Sequence, residues 1–212
     1  MRAAWFAAAL SCALVSPAAG ASCDSTDACL KVLAAAQAST KSIDARFVQT
    51  KHLSLLDEPI VSTGRFRFRR PDHVRLDVEA HVVGTPHPST ILIAGRSVTI
   101  PGLPATEQRA VAESPMAAMF TELGAVFAGN LDHAPAHFTI VARGEGDAIE
   151  VTLTPTAADF QRLFRTIALR FAGPDTMVTS MRLDDALGDR LEVELRDVKR
   201  NVELPDALFA QP

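Results

Sequence analysis

Apolar and polar residues alternate with a period of two in short runs along most of the chain. The clearest run is GRFRFRRP at residues 64–71. Successive side chains of a strand point to opposite faces, so Phe66 and Phe68 share one face of a predicted strand. The opposite, solvated face carries Arg65, Arg67 and Arg69. Arg70 is out of step with those three arginines and falls on the same face as the phenylalanines.

The same alternation predicts a series of short antiparallel strands joined by turns. They run near residues 43–48, 64–70, 74–79, 91–93, 98–100, 138–140, 149–153, 167–171, 177–183 and 190–196. Two segments have helical spacing instead. One begins at Ser25 or Thr26 and continues to about Ser39, and the other begins at Ser114 and ends near residues 129–130. Residues 101–113 have no strong period.

A sheet that is apolar on one face must cover that face with another layer. Because one helix precedes the strands and another interrupts them, the pattern favours a strongly curved antiparallel sheet with a few helices across its concave side. Incomplete cover would leave an apolar cavity there. Residues 22–212 show no internal repeat, linker or low-complexity segment, so we expect a single, mainly β domain.

The first 21 residues have the pattern of a secretory signal peptide. Arg2 is followed by an apolar run from Trp5 to Val15, and the segment PAAGA ends at Ala21, where we expect cleavage. Two cysteines follow, Cys23 and Cys29. In an oxidising compartment we expect them to form a disulfide rather than a metal or redox site.

Composition and motifs argue against several classes of function. A net charge of −4 and a pI near 5.8 argue against nucleic acid as the main partner. The chain lacks the GxSxG motif of hydrolases and the HExxH motif of metalloproteases, and Pro135 interrupts the pair His133 and His137. We therefore expect a binding protein with no metal, no cofactor and no enzymatic activity.

Several short motifs, in order, resemble those of the LolA-like periplasmic lipoprotein carriers. The resemblance covers about residues 30–212, and each motif alone is weak. The matching segments include Phe47-Val48-Gln49, residues 62–72 with their Arg70-Pro71 pair, Leu169-Arg170-Phe171, Met181-Arg182-Leu183-Asp184 and Asn201-Val202-Glu203-Leu204.

The resemblance implies an unclosed antiparallel β-barrel with a helical lid over an apolar concave face. It also implies a periplasmic carrier that shields the acyl chains of lipoproteins, or of another lipid or glycolipid, between an inner-membrane donor complex or exporter and an outer-membrane acceptor. We expect such a carrier to be a monomer. The alternative is a lipid-sensing interaction domain that regulates a membrane or envelope partner.

The resemblance and the alternation together predict roles for specific residues. Arg70 is similar in position to a family arginine that holds the lid shut through hydrogen bonds to carbonyl groups of the lid. We call a residue with this role the lid latch. The simpler alternative is that Arg70 turns to water before Pro71. We expect the acyl-chain cavity to be lined by Phe47, Phe66, Phe68, Leu76, Val78, Ile91, Ile93, Met116, Met119, Phe120, Leu153, Leu169 and Phe171. A stripe like that of the methionines and Phe120 more often belongs to an ordinary core, and this is the alternative for these three residues.

Overall fold

The computed structural model describes residues 23–80, 87–95, 97–114, 117 and 137–210. The strands are β1 (Ser42–His52), β2 (Ile60–Arg69), β3 (His73–Ala80), β4 (His87–Ala94), β5 (Ser97–Thr99), β6 (Phe138–Glu145), β7 (Ala148–Pro155), β8 (Phe164–Ala172), β9 (Met177–Asp185) and β10 (Arg190–Arg200). Three α-helices lie wholly within the described residues, α1 (Thr26–Ala38), α2 (Ala105–Ala112) and α3 (Ala158–Gln161). A 3₁₀ turn, Asp206–Leu208, follows the last strand.

The ten strands form one antiparallel sheet in the order β5-β4-β3-β2-β1-β10-β9-β8-β7-β6. Within the described part of the chain, the end strands β5 and β6 each pair with one neighbour, so the sheet is not closed. The prediction of a mainly β, unclosed antiparallel barrel with a few helices is confirmed.

Two apolar cores lie on the concave side of this sheet. In the first core, Cys29 and Leu33 of α1 pack on β6 to β9 and are fully buried. The second core lies on β1 to β5, where Phe47 and Phe68 are buried together with Ala117. The two ends of one sheet are therefore filled separately, and the space between the cores is where a cavity can form.

Strand β10 changes phase at Asp197, a feature that the sequence pattern did not predict. Its backbone has a positive φ of 52°, and its neighbours pair out of step, since Arg46 is opposite Arg196 while Ile43 is opposite Arg200. Such a bulge inserts one extra residue and turns the following side chains to the other face. Arg200 consequently lies on the concave side, near the end of α1.

The observed helices match those predicted from the sequence in part. Helix α1 was predicted, and Ser25 caps it by accepting a hydrogen bond from the Ala28 N–H at 3.2 Å. Helix α2 was missed, because it is short, exposed and without a regular apolar stripe. Of the predicted middle helix, only Ser114 and Ala117 are among the described residues, and the predicted signal peptide lies outside them. Among the described residues, no helix has the length and apolar character needed to span a membrane.

The arginines of β2 lie on the convex face as predicted, but two of them are not solvated. Arg65 is half-exposed, whereas the side chain of Arg67 is 14% exposed and that of Arg69 is 24% exposed. Arg67 is bonded to Asp77, and Arg69 is covered by the C-terminal segment, where its guanidinium lies 4.7 Å from the centre of the Phe209 ring. Paired carboxylates and this segment therefore replace water on that face.

The ion pairs around Asp77 predict acid sensitivity. Burial alone would raise the pKa of Asp77, but hydrogen bonds from Arg75, Thr90 and Arg67 outweigh it and hold that pKa below its ordinary value. A carboxyl whose pKa is lowered by folding stabilises the protein above its unfolded pKa, about 3.9, and this contribution is lost as the pH falls through the lower folded pKa. We expect Asp77→Asn to lower the free energy of unfolding at pH 7 by about 1 to 2 kcal/mol.

Urea unfolding of wild type and Asp77→Asn at pH 3 and pH 7 measures this contribution, with Asp147→Asn in an exposed turn as the matched control. The difference between wild type and Asp77→Asn should shrink at pH 3. An equal difference at both pH values would contradict the role given to the Asp77 carboxylate.

Candidate functional site

An apolar cleft of about 330 Å³ lies on the concave face between the two cores. Its lining comes from both halves of the sheet and consists of Phe47, Gln49, Phe66, Val74, Leu76, Val78, Ser89, Ile91, Ile93, Val178, Ser180, Met181, Leu191, Val193 and Leu195. Apart from one amide and two hydroxyls, these side chains are apolar, and none of the described lining residues is charged. The cleft is therefore suited to an uncharged, apolar ligand.

The predicted cavity residues fall into three groups. Those on β1 to β4 that line the cleft are Phe47, Phe66, Leu76, Val78, Ile91 and Ile93. Four others are fully buried in the cores: Phe68 pairs across the sheet with Ile43 and Val74, and the remaining three, Leu153, Leu169 and Phe171, lie in the core covered by α1. Met116, Met119 and Phe120 lie outside the described residues.

The other side of the cleft was missing from the prediction. It is formed by β9 and β10 and includes Met181, Leu191, Val193 and Leu195. The alternation of β10 was visible in the sequence. What the sequence could not show is that β10 pairs with β1, which brings a strand from the end of the chain next to the first one.

Gly64 determines how the ring of Phe47 lies in the cleft wall. The two residues are directly opposite in the β1–β2 pair. A Cβ on residue 64 would lie 2.6 Å from Cε1 of Phe47, closer still to its Cζ, and in collision with the carbonyl oxygen of Asp77. The absence of a side chain at this position therefore lets the aromatic ring lie flat across the neighbouring strand.

Arg70 lies at the end of β2 and contacts the C-terminal end of α1. Its Nε donates to the carbonyl oxygen of Thr40 at 2.6 Å, and its Nη2 donates to that of Gln37 at 2.8 Å. The last carbonyls of a helix have no partners within the helix and carry a partial negative charge. A guanidinium with several N–H groups meets both requirements.

Further side chains hold the same end of α1. Arg200 donates through Nη2 to Oγ of Ser39 at 2.9 Å and pairs through Nη1 with Asp175 at 3.0 Å. Asn201 donates to the carbonyl oxygen of Ser39 at 3.1 Å. On the buried side, Gln37 donates through Nε2 to the carbonyl oxygen of Thr176 at 2.8 Å. The helix end is thus joined to β2, β10 and the β8–β9 turn by side chains.

The opposite end of α1 lies at the outer edge of β6. Cys23 and Cys29 form a disulfide just before and within the first turn of the helix, with their Cα atoms 5.1 Å apart. The hydroxyl of Thr26 accepts a hydrogen bond from the N–H of Ala142 at 3.2 Å and lies 3.4 Å from its carbonyl oxygen. Helix α1 is therefore tied to the sheet at both ends.

Among the residues that the structure describes, no cluster of three histidine, cysteine or carboxylate side chains could hold a metal ion. His137 stacks on Phe160 with a centroid distance of 5.2 Å, whereas His133 lies outside the described residues.

Comparison with protein-family models gives a match that covers most of the chain. The family model described as "Outer membrane lipoprotein carrier protein LolA" matches residues 38–211. No curated protein sequence matches. Among solved structures, the LolA superfamily protein NE2245 from Nitrosomonas europaea has a TM-score of 0.45 and 11% identity, covering 89% of this chain and 99% of that one.

Two other solved structures are similar at the same distant level. The MucA/MucB complex of Pseudomonas aeruginosa has a TM-score of 0.43 and 14% identity, covering 85% of this chain and 59% of that one. LprF from Mycobacterium bovis has a TM-score of 0.38 and 16% identity, covering 85% of this chain and 97% of that one. These likenesses are too distant to bear on function.

Proposed function

The chain belongs to the LolA family, and from this premise we propose that it is a periplasmic carrier that shields acyl chains of lipoproteins, or of another lipid, in the apolar cleft. The observation that carries the proposal is the uncharged lining contributed by both halves of the sheet. Each methylene group moved from water into such a cleft contributes about 0.8 kcal/mol. An acyl chain, which is a run of methylene groups, is thus a ligand that would gain from this surface.

The cleft is small, and this gives movement of α1 a role in the proposal. A volume of about 330 Å³ is at the lower end of the range of ligand pockets, about 300 to 1,000 Å³. A cargo with several acyl chains would need more room, which displacement of a helix can supply. We propose that Arg70 acts as the lid latch through its bonds to the Gln37 and Thr40 carbonyls, and that cargo entry breaks these bonds.

The proposed carrier works between membranes. It would receive cargo from an inner-membrane donor complex or exporter and deliver it to an outer-membrane acceptor, as a monomer, after export and cleavage after Ala21. Catalysis has no part in this proposal, because a carrier binds and releases its cargo without changing it.

The direct test is a Val78→Glu variant, which places a carboxylate in the wall of the cleft. Binding of a fluorescent fatty acid is expected to weaken by at least about tenfold, because a charge facing the acyl chain must be desolvated or neutralised. Val141→Glu is the matched control, since Val141 is 38% exposed and faces outward from β6. Circular dichroism of both variants verifies that they fold.

If wild type and Val78→Glu are both folded and bind the fatty acid equally, the cleft is not the site that binds acyl chains. Binding of lipid without transfer to acceptor membranes or proteins would instead favour the alternative, a lipid-sensing domain that regulates a partner. A transfer assay from loaded protein to acceptor vesicles separates these two outcomes.

A further inference from the structure

Three leucines protrude into solvent from two neighbouring turns of the sheet. Leu55 is 93% exposed and Leu56 is 52% exposed, both in the β1–β2 turn, and Leu187 in the β9–β10 turn is 84% exposed. Scattered exposed apolar residues are ordinary, but a group of large aliphatic side chains at one end of a molecule indicates an interaction site. We call these three residues the leucine tip.

The backbone of the leucine tip is held by specific hydrogen bonds. The carboxylate of Asp189 accepts from the N–H of Ser54 at 2.8 Å, which joins the two turns. The Oδ1 atom of Asp185 accepts from the N–H groups of Leu187 and Asp189, each at 2.8 Å. An ordered backbone presents the leucines outward in fixed positions, so little ordering is needed when they meet a surface.

The leucine tip is at one end of the apolar cleft. Leu191 lines the cleft and is two residues beyond Asp189 of the β9–β10 turn, and Gln49 lines it three residues before the end of β1. The latch residue Arg70 is at the opposite end of β2. The cleft thus extends from residues near the α1 contacts, such as Val74 and Val178, to the end of the sheet where the turns carry the exposed leucines.

We propose that the leucine tip docks on an uncharged lipid surface and brings that end of the cleft to the membrane from which cargo is taken or to which it is given. This inference rests on the proposed function. Isolated aliphatic side chains can insert into the hydrocarbon interior of a membrane, because this interior requires neither a complementary shape nor hydrogen bonds from the protein.

The charges around the leucine tip restrict the kind of lipid surface. The turns and their flanks carry the carboxylates Asp57, Glu58, Asp184, Asp185 and Asp189, against the cations Lys51, Arg165 and Arg190. A local excess of negative charge disfavours anionic lipids. The structure therefore favours zwitterionic lipid and a contact that depends on apolar insertion, with little dependence on salt.

The test measures sedimentation of the intact mature protein with vesicles of pure phosphatidylcholine. The triple variant Leu55→Ser, Leu56→Ser, Leu187→Ser is expected to bind at least about tenfold more weakly than wild type, since each leucine removed from hydrocarbon lowers the partition coefficient by about this factor or more. Val141→Ser, which removes an exposed aliphatic side chain from the outer face of β6, should bind like wild type.

Fatty-acid uptake from detergent-free solution, measured on the same proteins, separates this inference from the proposed function. The triple variant should take up fatty acid as wild type does while losing vesicle binding. Unchanged vesicle binding by the triple variant, or no vesicle binding by wild type, would each overturn the docking proposal and leave the carrier function intact. Failure of wild type to take up fatty acid would overturn the carrier function itself.

Discussion

Gly64→Ala is expected to lower the free energy of unfolding by about 3 kcal/mol, the upper range for overpacking in a core. The added Cβ would collide with the Phe47 ring and with the backbone carbonyl of Asp77. The ring lines the apolar cleft and has room to move into it, whereas the carbonyl is held by the β2–β3 pairing. We therefore expect a loss of both stability and cleft volume, measured by urea unfolding and by fatty-acid binding.

Two controls separate crowding from other effects of a new methyl group. Gly188→Ala has a φ of +100° but no atom within 4 Å of the added Cβ, so it isolates backbone strain, about 1 to 2 kcal/mol. In the double variant Gly64→Ala, Phe47→Leu, the smaller side chain removes part of the collision, so its cost should be less than the sum of the two single variants. Strict additivity would show that Phe47 is not the residue that Gly64 accommodates.

Arg70→Leu is expected to slow release of bound fatty acid by about tenfold. The closed form gains two hydrogen bonds from Arg70 to the end of α1, and bonds with a charged donor contribute about 1.5 to 3 kcal/mol each. Without them the closed form no longer competes with cargo, which then stays bound. Hydrogen exchange of the α1 amides in the empty protein should also become faster.

The matched control for this prediction is Arg65→Leu. Arg65 belongs to the same strand and is half-exposed, but it points to the convex face and pairs with Asp44. This change should leave release and α1 exchange as in wild type. Equal release rates for Arg70→Leu and wild type would mean that the contact is structural and that the latch proposal fails.

Much of the sheet could be predicted from the sequence, because the alternation of apolar and polar residues in a strand is a local signal. Alternation in β2, β3 and β7 to β10 reports which residues share a face. In the structure Arg65 pairs with Asp44 on the convex face, whereas Arg70 contacts the end of α1. Pairing between distant strands has no such signal. For this reason the prediction missed the half of the cleft on β9 and β10, and it assigned to the cavity residues such as Leu153 that α1 covers.

The contacts at the end of α1 show a second limit of sequence patterns. Simple alternation puts Arg200 on the convex face, together with Arg196. The bulge at Asp197 reverses this, and the reversal depends on one residue with a positive φ. Nothing in the identity of an aspartate demands that conformation, so the position of Arg200 beside Ser39 could be learned only from the structure.

The Thr26 hydroxyl has a consequence for association of this protein with other chains. The free edge of a sheet offers unpaired N–H and carbonyl groups to any other extended chain, and is a common starting point for aggregation. On β6, Thr26 lies at the N–H and carbonyl of Ala142, and the disulfide-bonded loop at Cys23 lies against Gly144. Part of the free edge at β6 is thereby closed to strand addition by another chain.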